Sequence, residues 1–194
     1  MASRRFSHAI AEGDGISVVA AVEDFDAARA AEAQRAEALV VDGDPSRLRE
    51  ATRLPILWRA NAAIDRAADV ADAVIVSLPD EDEDHDPAQR RHEDALAAGL
   101  DCAVEVHSEE ELERALEILD PEIFLLAPSQ NDEEERLEAV LELLAAVPAG
   151  KLAIADLAVT TEDEVHELER AGVDAVIVHA ADVSPLAGEA PPEV

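Results

Sequence analysis

AVEVHSEEELERAL, residues 103–116, joins an apolar strand to a helix with no loop between them. Val104 and Val106 flank a single carboxylate, Glu105, near the strand's end. Ser108 followed by Glu111 has the capping-box spacing, in which a hydroxyl and a carboxylate satisfy orphan amides of a helix's first turn. Leu112, Ala115, Leu116 and Leu119 then recur on one helical face. The segment is a strand-to-helix unit with an acid at its tip, the place where parallel βα architectures carry their chemistry.

The same alternation continues in both directions. Apolar runs at Ile16–Val22, Ala38–Asp42, Pro55–Arg59, Ala73–Leu78, Cys102–His107, Ile123–Ala127, Leu152–Asp156 and Ala175–His179 are separated by alanine-rich or acidic stretches with helical periodicity. Asp72–Val76 and Asp174–Val178 both read DAVIV, a recurrence that a barrel built by repetition would leave. Leu137, Val140, Leu141 and Leu144 form one helical stripe. Val165 and Leu168 begin another after a second capping box, Thr161 to Glu164. Gly99 and Gly172 sit where a helix stops before a strand, as left-handed terminators. Residues 182–194 hold three prolines and little periodicity, so a poorly structured tail and a short or missing last helix are expected. The uncovered strip of barrel exterior that would result is an expected homodimer contact.

A chain of 194 residues suits a single domain, 1–194, and is small for eight βα units, for which roughly 250 residues is typical. The loops must be trimmed. A formal net charge of −31 favours solubility at the cost of self-repulsion. Nucleic acid and anionic membrane surfaces are therefore not expected as partners. Lys151 is the only lysine, and arginine supplies the rest of the basic charge; the balance suits a salt-rich cytoplasm, where screening is short-ranged, or a GC-rich genome. A single cysteine, Cys102, lies in an apolar run and reads as a buried, unreactive thiol. With no bilayer-length apolar run and no signal-peptide pattern, a cytoplasmic location is expected.

The stretch around Glu105 closely resembles the fifth strand and helix of indole-3-glycerol phosphate synthase, a (βα)8 TIM-barrel enzyme of tryptophan biosynthesis whose motif reads VEVH before an acidic helix start. Elsewhere the resemblance is sparse. RRFSHAI followed by ISVVAAVE is similar to the family's leading helix and first strand, with Ala21 where the family has glutamate and Glu23 where it has lysine. Leu54 to Asn61 resembles the family's LPVLRKDF and puts Arg59 in the place of a lysine. Ala127 and Pro128 replace paired asparagines, while Asp156, Leu157 and Ala158 replace glutamate, serine and glycine. His179, Ala180 and Ala181 stand at the family's glycine, glutamate and serine.

The resemblance implies a lyase that closes a ring with loss of carbon dioxide and water, without a cofactor, and that needs a cationic acid beside carboxylates. A lysine can give up its proton at neutral pH when its pKa is depressed, whereas a guanidinium stays charged. Glu105 and Arg59 are the candidate catalytic residues, and Glu23, Asp156 and His179 the candidate substrate-binding residues. Strand alternation would bring these and His107 to one rim. The family's phosphate site lies after strands seven and eight, where Leu157 and His179 would obstruct it, and the run DEDEDHD at 80–86 would repel an anionic ester.

The expectation is a synthase-like barrel with a degenerate active site, taking a small-molecule ligand. Two alternatives stand beside it: an active synthase that uses Glu105 and Arg59, or a metal-assisted lyase or hydrolase at the same rim. Pairing of Glu105 with Arg59 across the mouth is the expected structural role of both. Trp58 is expected to face the helical layer, and His8, His92 and His166 the solvent.

Overall fold

Eight parallel strands close on themselves in chain order. They are β1 (Ser17–Ala21), β2 (Ala38–Val41), β3 (Ile56–Trp58), β4 (Ala73–Ser77), β5 (Asp101–Val106), β6 (Ile123–Leu126), β7 (Leu152–Asp156) and β8 (Ala175–Val178), and β8 pairs back onto β1. The computed structural model describes residues 5–11, 15–59, 63–80, 84–129, 133–157, 159, 161–179 and 183–186. Helix α1 (Arg5–Ala11) precedes the first strand. Helices α2 (Phe25–Ala33), α3 (Leu48–Ala51), α4 (Ile64–Val70), α5 (Asp86–Ala97), α6 (Glu109–Ile118), α7 (Glu133–Ala146) and α8 (Glu162–Ala171) follow β1 to β7 in turn. This is the (βα)8 barrel read from the alternation, and each apolar run is a strand with its ends shifted by one residue at most.

Among the described residues β8 is followed by a turn at 184–186 rather than a helix. Val183 and Leu186 there are buried, and the Val183 amide donates to Gln34 Oε1 at 2.9 Å. Residues 187–194 lie outside the described part.

Strand parity divides the apolar residues into two layers. Val19, Val40, Leu57, Ile75, Leu125, Ile154 and Ile177 point inward and fill the barrel. Val18, Leu39, Ile56, Val74, Val104, Phe124 and Val176 point outward into the layer shared with the helices. Trp58 belongs to that outer layer, 3% exposed, with the Arg66 guanidinium 5.8 Å from its ring centroid.

Helix α1 closes the N-terminal end of the barrel. Phe6 and Ile10 are buried in the inner layer with Ala38, Ala73, Ala103 and Ala175, whose small side chains leave the room that the two large ones take. Two bonds fix the plug to the strand starts: the Ser7 amide donates to Asp101 Oδ2 at 2.7 Å, and the Ser17 hydroxyl donates to the Ile10 carbonyl at 3.4 Å.

The same end carries a repeated carboxylate clamp. Asp72, the residue before β4, donates its amide to the Ile56 carbonyl at 2.9 Å and accepts the Ile56 amide on its side chain at 3.0 Å. Asp174 does the same to Ala153 before β8, at 3.0 and 2.8 Å. Glu37 does so to Val18 before β2, at 3.0 and 2.8 Å. Each acidic residue thus brackets the N–H and C=O of one residue of the preceding strand, the first with its carboxylate and the second with its own amide, and sets the register. The two DAVIV copies thus share a physical job, and Arg49 completes the Asp72 copy by pairing with that carboxylate and with the Val70 and Leu54 carbonyls.

Helix termini follow the sequence signals with one change. Thr161 and Glu164 form the reciprocal capping box. At α6, Ser108 Oγ accepts the Glu111 amide at 3.3 Å, but Glu111 Oε2 takes the His107 amide at 2.8 Å instead of that of Ser108. The carboxylate reaches one residue further back and ties the strand end to the helix start. Gly99 and Gly172 have φ of +82° and +98°, the left-handed stop that glycine tolerates. His92 corrects an expectation: it is 7% exposed, because Ala88, His92 and Ala95 share the inner face of α5, and burial lowers its pKa. The charged neighbours on either side in sequence masked that spacing.

Truncating the plug tests how far the barrel depends on it. Phe6→Ala is expected to cost about 3–5 kcal/mol, since a fully buried aromatic is lost from a layer with no larger neighbour to collapse inward. The measurement is urea unfolding in molar salt, and a loss below about 1 kcal/mol would show that α1 is an accessory, not a structural floor.

Candidate functional site

The inward parity that fills the barrel continues past its last apolar layer. One further step along each strand gives Ala21, Asp42, Arg59, Ser77, Glu105, Ala127, Asp156 and His179 at the C-terminal mouth. Closure brings three of the five predicted residues into direct contact. Arg59 Nη2 donates to Asp156 Oδ2 at 2.5 Å, and His179 Nε2 meets Asp156 Oδ1 at 2.7 Å. Asp42 lies 3.5 Å from Arg59 Nε as an ion pair without a hydrogen bond. The chain Asp42, Arg59, Asp156, His179 thus spans β2, β3, β7 and β8. Asp156 is its pivot, with a side chain only 11% exposed.

Glu105 is not Arg59's partner, which corrects the expected pairing. Its Oε2 accepts the Ser77 hydroxyl at 2.9 Å across the adjacent strand, and it acts on Arg59 only through its charge. The direct register of Ser77 with Glu105 places hydroxyl and carboxylate side by side, whereas Asp156 reaches the guanidinium from the far side of the mouth. His107 is exposed and its Nδ1 contacts the Ala127 carbonyl, tying the ends of β5 and β6. Glu23 is exposed beyond β1 and is not among the described partners of the chain of ion pairs. Asp42 and Ser77 were missed in the sequence, although extending the inward parity of β2 and β4 by one step finds both.

Charge and burial set the protonation of this group. Burial alone would raise the Asp156 carboxyl, but the His179 hydrogen bond and the charge and hydrogen bond of Arg59 outweigh it and hold it below the ordinary range. The hydrogen bond to Asp156 lifts His179 above the usual histidine value, against burial and the Arg59 charge. Arg59 stays charged, because burial is overcome by Asp156 and Asp42. Cys102 takes no part, since burial pushes its thiol up to about 12.

The remainder of the mouth is acidic. Helices of a (βα)8 barrel start on the side where strands end, and here the first turns carry Asp26, Glu50, Asp65, Asp86, Glu109 to Glu111 and Glu162 to Glu164. Residues 81–83 of the acidic run, and Ala158, Ala180 and Ala181, lie outside the described part. Leu157 and Val159 after β7 are buried. Lys151 precedes β7 at the opposite end of the barrel, where its Nζ pairs with Asp120 Oδ1 at 2.6 Å. Among the described residues no group of three His, Cys, Asp or Glu is arranged to hold a metal ion, and no helix is long and apolar enough to cross a membrane.

The chain is 40% identical to an indole-3-glycerol phosphate synthase of Polaromonas naphthalenivorans over 98 residues, 50% of this chain and 37% of that protein. It is 38% identical to that of Variovorax paradoxus over the same length and shares. A Geobacillus protein of the same name is 29% identical over 147 residues, 69% of this chain and 53% of that one. The aligned stretch thus spans between about a third and about half of these curated relatives. No family model matches the chain.

The chain of ion pairs defines a pH window. His179, whose folded pKa is raised, contributes stability that is fully present below the unfolded histidine value and is lost as pH rises through the folded one. Asp156, whose folded pKa is lowered, contributes above the unfolded carboxylate value and loses that contribution as pH falls through the folded one. The difference in melting temperature between the chain and His179→Gln, at fixed molar salt, is therefore expected to be largest between the ordinary carboxylate and histidine ranges and to narrow on the alkaline side. A difference that does not vary with pH would mean that the contact with Asp156 carries no charge.

Proposed function

Since the chain is a divergent member of the indole-3-glycerol phosphate synthase family, we propose that it keeps the family's barrel but has lost efficient closure of the indole ring, and that its mouth now serves another small ligand. The observation that carries this reading is Arg59, held by Asp156, in the place where the resemblance expects a lysine. The reaction needs a cation that gives up a proton, and a guanidinium fixed at 2.5 Å to a carboxylate gives up none. The one lysine of the chain is at the wrong end of the barrel and is paired there.

The ligand side supports the same reading. A phosphate ester needs amide donors after β7 and β8, where buried Leu157 and the side chain of His179 now stand. It would also enter past acid-rich first turns on most of the helices. Salt weakens that repulsion without supplying donors. Tryptophan biosynthesis, the relatives' pathway by resemblance, is on this view the origin of the scaffold and not its present service.

Offered the synthases' carboxylated phosphate-ester substrate in molar salt, the chain is expected to give no indole fluorescence above background, and Glu105→Gln to behave identically. Turnover that disappears in Glu105→Gln would overturn the reading, because it would show the fifth-strand carboxylate still working in the family's role.

A further inference from the structure

The contact between Asp156 and His179 has a geometry that ion pairing alone does not require. Asp156 is held on both oxygens, Oδ2 by Arg59 Nη2 at 2.5 Å and Oδ1 by His179 Nε2 at 2.7 Å, so the carboxylate has no freedom to turn away. A carboxylate that is ionised has no proton to give; the bond to Oδ1 is therefore donated by Nε2–H. That fixes the tautomer and leaves Nδ1 as the basic nitrogen of the neutral ring. Among the described residues nothing bonds to Nδ1, and the side chain is 47% exposed. A largely buried carboxylate that orients a part-exposed imidazole and leaves its other nitrogen without a partner is the arrangement by which proteins build a directed proton acceptor.

From this we infer that the barrel mouth is an acid–base site in which His179 carries the proton and Asp156 and Arg59 position it, acting on small, uncharged carbonyl compounds of the ester class. The inference rests on the reading that the mouth no longer serves a phosphate ester. Charge selects the ligand class. The groups facing His179 are Asp156 from β7, Arg59 from β3 and Asp42 from the end of β2, with Glu105 of β5 acting on Arg59 from its other side. Three carboxylates surround one guanidinium whose charge is already met by two of them, so the site has no cation to spare for an anionic substrate. In the step itself, a water oxygen bonds to the ester carbonyl carbon while Nδ1 takes the water's proton. Collapse of the tetrahedral adduct breaks the carbon–oxygen bond to the leaving alcohol, which departs with the electron pair, and the imidazolium then returns its proton to the alkoxide or to solvent.

The probe is 4-nitrophenyl acetate, followed by release of 4-nitrophenolate in molar salt from mildly acidic to mildly alkaline pH. Hydrolysis is expected to rise with pH through the titration of His179 and to fall at least about tenfold in His179→Gln, the low end for a positioned general base. His166→Gln, on the exposed face of α8, is expected to keep the full rate. Asp156→Asn is expected to lower the midpoint of the pH profile as well as the rate, a shift that a merely structural role would not produce. Equal rates in the parent chain and His179→Gln would overturn the proposal, as would an unmoved midpoint in Asp156→Asn. Because these variants touch a partly buried cluster, nitrogen-15 spectra of the imidazoles in the unaltered protein provide an independent measurement. Above its midpoint His179 is expected as the Nε2–H tautomer, and finding Nδ1–H would overturn the proposal without any variant. Indole formation dependent on Glu105 would overturn the preceding proposal, and the ester rate of His179→Gln would still decide this one.

Discussion

Closure of eight parallel strands imposes one constraint on every side chain of the barrel: in each strand alternate residues must point into a space shared by all eight. That space has a floor, a middle and a mouth. Phe6 and Ile10 of α1 fill the floor over a ring of alanines, and branched aliphatic residues fill the middle. The floor admits Ser17 and Asp101, which bond α1, and the mouth takes the remaining inward polar groups. Asp42, Arg59, Ser77, Glu105, Asp156 and His179 are neighbours because each lies one inward step past the last apolar layer of its strand. The clamps made by Glu37, Asp72 and Asp174 protect this constraint, since a register slip of one residue would send every inward group outward.

Much of this was legible in the sequence because it depends on local pattern. Strands appeared as short apolar runs, helix starts as capping residues, and helix stops as Gly99 and Gly172, each a signal that reads the same whatever it packs against. Parity also placed Arg59, Glu105, Asp156 and His179 on one rim. The choice of partner was not legible. Whether Arg59 meets Glu105 or Asp156 depends on which side chain reaches across the mouth, and the sequence carries no trace of that distance. Glu105 takes Ser77 because the β4 and β5 register puts them in line, a fact that exists only once the strands are paired. His92 failed for a related reason: its charged neighbours in sequence face solvent while it follows Ala88 and Ala95 inward. The floor was half visible, since RRFSHAI reads as a leading helix, but its use as a plug follows from the alanines of strands far away in the chain.

The acidic excess divides into parts with separate physical roles. Some carboxylates are structural. Asp24 and Asp44 cap helical turns, Glu111 and Glu164 bind backbone amides at the starts of α6 and α8, and the three clamps hold strands. Helix dipoles favour acids at those starts, so the same preference that stabilises each helix also gathers negative charge on the face where the barrel opens. Any site for a phosphate on that face would need basic groups and exposed amides to offset the gathering. Here the Arg59 guanidinium is taken up by Asp156 and Asp42, and that of Arg66 in the first turn of α4 by Asp44.

That balance bears on how such a barrel can change its chemistry without changing its fold. Arg59 at the end of β3 is a cation that does not give up its proton, and a part-buried cation needs a partner. Asp156 supplies it at 2.5 Å, and once fixed there the carboxylate has a second oxygen pointing along the rim toward β8. A glycine at the last strand would leave that oxygen to water. A histidine takes it up and is oriented by it, with one ring nitrogen committed and the other without a hydrogen-bond partner among the described residues. One ion pair thus does two things, because the guanidinium that keeps its own proton also holds the carboxylate still enough to orient the imidazole.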